Sequence, residues 1–157
     1  MDLDLSLGAP LLIDSSAFIY LVEGEAGSAR RTTVERFLTA AALARTRLVA
    51  STIAWAELLE RPLTANDEER AIAYRRLLSG GSVELLVVDV AVAERAAAIR
   101  AALPQSARRS LSDADTIQIA TAVEHGARAI LTNDEAWRAA PDCPPLFIVD
   151  ELAFEGD

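Results

Sequence analysis

The chain has 157 residues, 52% of them hydrophobic and 5% aromatic, and carries a net charge of −9 at pH 7. That length is enough for a packed core without disulfides or structural metal, and the single cysteine, Cys143, excludes an intrachain disulfide. All 15 basic residues are arginine, and so acidic a chain argues against a general nucleic-acid binder, whose affinity rests on phosphate contacts.

The opening MDLDLSLGAP has acids where a secretion signal carries positive charge, and no uncharged run reaches membrane-spanning length. The expectation is one soluble, cytoplasmic domain over residues 1–157, with no membrane partner. A first strand, LLI at 11–13, climbs to Asp14 and breaks into serines. Helical patterns follow at 16–22 and 29–45, then the strand RLVA at 47–50 and a helix at 53–60, with Pro62 marking a loop. A helix at 67–79 is stopped by SGGS before the strand VELLVV at 83–88. Helices are predicted at 90–103 and 113–124, the second closed by His125-Gly126. The strand RAILT at 128–132, a short helix near 135–139 and the strand LFIV at 146–149 complete the chain. Short apolar strands without polar alternation are those of a sheet covered on both faces. The alternation predicts an α/β fold, three layers deep, with a central, mostly parallel sheet of about five short strands. In such sheets ligands bind beyond the carboxyl ends of the strands, where Asp14 falls.

Four acids occupy positions of that kind, and each has a structural explanation beside a chemical one. Asp14 either caps the next helix or holds a charge up for chemistry. Asp134 lies two residues past a strand, where Thr132 or Asn133 can cap a helix whose positive end favours an acid. Ser112-x-x-Asp115 approximates a capping box. Yet Asp115 also shares a helical stripe with Ile119, Ala122 and Val123, and a buried carboxylate there needs a cation or donors. Asp113 lies on a more mixed face, with Ile117, Ala120 and Glu124. Glu57 follows a Ser/Thr cap by about one turn among Ile53, Ala54 and Leu58, whereas Glu60 reads as surface.

His125 reads as a helix cap, and with Cys143 isolated there is no zinc set. Neither a nucleophile elbow nor a Gly-rich phosphate loop is present. A phosphoryl-accepting domain needs a lysine, which the chain lacks, and no strand leads into Asp2 and Asp4 as a phosphatase motif requires. An all-oxygen set of Asp14, Glu57, Asp115 and Asp134 suits Mg²⁺ or Mn²⁺, whose natural work is hydrolysis of a phosphate ester.

The ordered blocks IDSSAFIYL, STIAWAELLERP and LSDADTIQIATAVEHGARAILTND resemble the PIN-domain nucleases, most closely the VapC-type toxins of bacterial toxin–antitoxin pairs. The resemblance covers nearly the whole chain. It implies a PIN-like fold and assigns catalytic and metal-ligating roles to Asp14, Glu57, Asp115 and Asp134. On this assignment Asp14 and Asp115 are the principal ligands of one ion, Glu57 ligates or orients the water, and Asp134 serves a second ion or the outer shell. Ser16 and Thr132 fall where the family keeps small polar supports, and Asp113 falls outside the site. The implied activity is Mg²⁺- or Mn²⁺-dependent cleavage of RNA by a homodimer restrained by a cognate antitoxin. Arg108 and Arg109, just ahead of the Asp115 helix, are candidates for holding RNA phosphates. The competing reading is a non-catalytic PIN-like module that binds protein or RNA. Asp14 is expected to serve as both helix cap and metal ligand.

Overall fold

The computed structural model describes residues 8–153, so Asp2 and Asp4 lie outside the described residues. Five strands, β1 (Leu11–Ile13), β2 (Leu48–Ser51), β3 (Glu84–Leu86), β4 (Ala129–Thr132) and β5 (Leu146–Ile148), form one sheet in the order β3-β2-β1-β4-β5. Every pairing is parallel, with Leu12 opposite Val49 on one side and Ile130 on the other. Six α-helices join the strands: α1 (Ser15–Glu23), α2 (Ala29–Leu43), α3 (Thr52–Thr64), α4 (Glu68–Ser79), α5 (Val90–Ala102) and α6 (Asp113–Glu124).

Strand side chains alternate between two cores. Leu11 and Ile13 pack with Phe18, Phe37, Leu58 and Tyr74, so α1 to α4 cover one face. Leu12, Val49 and Ile130 pack with Val92, Ile99 and Ile119, so α5 and α6 cover the other. With both faces buried, β1 and β4 have no solvent side to mark with polar residues, and every residue of each is buried.

The chain runs outward from β1 through β2 to β3, then returns to place β4 on the other side of β1. The connections leaving β1 and β4 therefore diverge, and a crevice opens at the carboxyl ends of these two strands. Asp14 and Thr132 stand there.

The sheet is wholly rather than mostly parallel. β3 is shorter than the apolar run VELLVV, because the Val88 amide donates to Thr52 Oγ1 at 3.2 Å instead of extending the ladder, and Val87 is exposed. Pro62 does not mark a loop. It lies inside α3, which runs on to Thr64. A proline this near a helix end forfeits one hydrogen bond, and its buried ring and its carbonyl, which accepts from the Asp67 amide at 2.8 Å, offset that loss.

Candidate active site

Asp14 ends the central strand, and its backbone occupies the N-cap position of α1. The expected cap is not made: the side chain accepts no bond from the helix backbone. It is 4% exposed and is held by four side chains instead. Ser15 Oγ and Gln118 Nε2 each donate to Oδ1 at 3.1 Å, while Ser16 Oγ and Thr132 Oγ1 donate to Oδ2 at 2.6 and 2.8 Å. Two of these hydroxyls are themselves fed by main-chain donors. The Asn133 amide donates to Ser16 Oγ at 3.3 Å and the Asp134 amide to Thr132 Oγ1 at 3.1 Å. Backbone polarity at the end of β4 is thus relayed through two hydroxyls to one carboxylate oxygen.

These donors do not undo the cost of burial. Desolvation raises the Asp14 carboxyl above its ordinary range, the Ser16, Thr132 and Ser15 bonds lower it, and the charge of Asp115 raises it further. Glu57, half-buried in the second turn of α3, is pushed up to about 7 by burial, then by the charges of Asp14 and Asp115, with Ser15 opposing. Three carboxylates from α1's threshold, α3 and α6 therefore share one field.

The link between two of them is Gln118, whose Nε2 reaches Glu57 Oε2 at 2.8 Å as well as Asp14. Sequence reasoning passed over Gln118. The signal was an amide in the apolar run IQIATA of α6, one turn beyond Asp115. Asp115 does make the capping box: its amide donates to Ser112 Oγ at 3.0 Å and its Oδ2 accepts from the Ser112 amide at 2.6 Å. Oδ1 carries no hydrogen bond among the described residues, so the box leaves one oxygen of the carboxylate uncommitted. Capping and chemistry are compatible here because a carboxylate has two oxygens.

Asp134 is used differently. Its Oδ1 accepts from the Ala136 amide at 2.9 Å, capping a short 3₁₀ turn, Glu135–Ala139. Arg108 donates to the carbonyls of Leu103 and Ala101 at 3.1 and 2.8 Å, closing the end of α5, and Arg109 is exposed. Asp113 points out to Arg100 at 3.0 Å.

Among the described residues no three acidic, histidine or cysteine side chains converge on one metal position. What the fold offers is a pair, Asp14 and Glu57 on one amide, with Asp115 near enough to be felt by both. Mg²⁺ commonly takes one or two carboxylates and keeps several waters, so the pair and its oxygen-rich surroundings fit that ion.

A parallel three-layer sheet with acids gathered where β1 and β4 diverge defines a class of α/β folds. Within it, a family model for the PIN domain matches residues 11–142. The chain belongs to the PIN-domain family. Solved structures share the fold at low identity. VapBC2 from Rickettsia felis, bound to a DNA fragment from its promoter, is 15% identical over 88% of this chain and 97% of that chain, with a TM-score of 0.69. DNA-bound VapBC from Salmonella typhimurium is 17% identical over 90% and 98%, with a TM-score of 0.66. VapC20 from Mycobacterium tuberculosis, a toxin that cleaves the sarcin–ricin loop, is 19% identical over 76% and 86%, with a TM-score of 0.59. Comparison with curated protein sequences gave no match.

Proposed function

We propose that the chain is a divalent-cation-dependent endoribonuclease and the toxin of a VapBC-type toxin–antitoxin pair. The observation that carries this reading is the buried Asp14 carboxylate at the β1–β4 crevice, coupled through one amide to Glu57 and through space to Asp115. The family supports a nuclease. The solved VapBC complexes support an antitoxin as partner, and the loop-cleaving VapC20 supports RNA as substrate. No helix among the described residues is long and apolar enough to cross a membrane, which is compatible with a cytoplasmic enzyme. A homodimer is the expected assembly.

Asp14 and Glu57 would hold the ion, Mg²⁺ with Mn²⁺ able to substitute. When bound, such a cation stabilises charge on the phosphoryl oxygens and lowers the pKa of water. Ser16 and Thr132 fix the Asp14 carboxylate, so it does not reorganise when charge arrives. Asp115 keeps Oδ1 to orient the attacking water for in-line displacement of an ester oxygen. Asp134 acts from the margin, through its amide on Thr132.

The test is calorimetric titration of Mg²⁺ or Mn²⁺ into the wild type and Asp14→Asn, with an RNA cleavage assay alongside. The expected result is cation binding by the wild type and loss of cleavage by several orders of magnitude in the variant. Near-wild-type cleavage by Asp14→Asn would sink the assignment. Binding of the cation without cleavage of any RNA would point to a non-catalytic module.

A further inference from the structure

Gln118 is fully buried on α6, and its amide stands between two carboxylates of the site. With Ser15, Ser16 and Thr132 it brings four donors to Asp14. An ionised carboxylate has about four lone-pair sites. While the amide stays, Asp14 has no acceptor position left for a ligand.

The other end of the same amide is orphaned. Oε1 is buried and has no hydrogen-bond partner. A buried carbonyl left unpaired costs free energy, so this amide is not placed for its own satisfaction. It is kept by the two carboxylates that need its hydrogens. An NH₂ group with two partly positive hydrogens, set between two anions, does weakly what a divalent cation does strongly.

We propose that Gln118 is a built-in stand-in for the cation: its NH₂ group holds the shared face of Asp14 and Glu57 in the ion-free protein and yields that face when a divalent cation enters. This rests on the reading of the site as a cation centre. Gln118 is a positioning residue on this account, and it lowers cation affinity while protecting the empty cleft from the mutual repulsion of its acids. The two effects have one origin, because the bonds that steady the empty site are those that an incoming ion must break.

The decisive comparison is Mg²⁺ affinity, by calorimetry, of the wild type and Gln118→Met, which keeps the side chain's length and removes the NH₂ group. The variant is expected to bind Mg²⁺ roughly five- to a hundredfold more tightly, the worth of the two hydrogen bonds that the ion no longer has to break, and to unfold at a lower temperature than the wild type in chelator. Unchanged affinity would mean that the amide only packs. Lower affinity would mean that it is itself a ligand. Either result overturns the proposal. Should Gln118→Met fail to fold, the wild type supplies its own readout: the Gln118 side-chain NH₂ resonances must move on saturation with Mg²⁺, and resonances that stay in place overturn the proposal. A wild type that binds no Mg²⁺ would overturn the parent reading and this one together. A binding wild type with a silent Gln118 overturns this one alone.

Discussion

At the scale of single residues, the site is an electrostatic compromise whose terms can be measured one at a time. Glu57 is the clearest. Its carboxyl, ordinarily near 4.5, is raised to about 7 by burial and by Asp14 and Asp115. A group whose pKa is raised on folding adds stability that is complete below the unfolded value and lost as pH climbs through the folded one. In chelator the melting temperature should therefore fall between about pH 4.5 and 7, and Glu57→Gln should flatten that slope. An identical pH profile in the variant would show that Glu57 is not in this field. Thr132 offers a second test, since it passes the Asp134 amide's polarity on to Asp14 from full burial. Thr132→Val leaves a buried donor and acceptor short, and should cost about 1–3 kcal/mol in denaturant unfolding. Asp14 was legible in the sequence because it broke an apolar strand. Gln118 was not, because an amide on a helix carries no charge to explain, and only three-dimensional proximity reveals which carboxylates it serves.

At the scale of elements, the strand–helix alternation was readable almost throughout, and the misreadings have local causes. Proline at 62 reads as punctuation, yet a helix tolerates it near its end when only one bond is forfeited and the ring is buried. The run at 83–88 promised a longer strand than forms, since apolar composition does not say that Thr52 will claim the Val88 amide. The start of α6 shows why Asp115 could not be assigned to one role from sequence: the capping box occupies one oxygen of a group whose charge is also felt at Asp14 and Glu57. Ser112→Ala removes half of that box. It should destabilise the protein by about 1 kcal/mol, visible as a lower denaturant midpoint, and a midpoint equal to wild type would show that the cap is dispensable to α6.

At the scale of the whole molecule, charge and topology act together. Arginines pair across the surface with acids, as in Arg47–Glu84, Arg95–Glu124 and Arg138–Glu151, each an exposed pair of little energetic weight. They leave the acids of the crevice uncompensated within a chain of net charge −9, and that field attracts cations. A ligand that binds only the folded state stabilises it by mass action, about 2.7 kcal/mol at 100 times its Kd. Mg²⁺ at that excess should raise the melting temperature of the wild type and leave Asp14→Asn nearly unmoved; an equal rise in both would place the ion elsewhere. The acidic balance that argued against nucleic acid at first sight is thus consistent with a cleft that meets phosphate only after it has acquired a cation.

The separation of the bonding partners along the chain bears on synthesis. Asp14 takes donors from residues 104 and 118 positions further on, and β1 is flanked by a strand that begins only at Ala129. A polypeptide still emerging from the ribosome has made Asp14, its two neighbouring serines and Glu57 long before it has made Gln118 and Thr132 to fix them. The crevice therefore stays unbuilt until translation has passed Thr132, so its carboxylates are brought together only after α6 and β4 have been made.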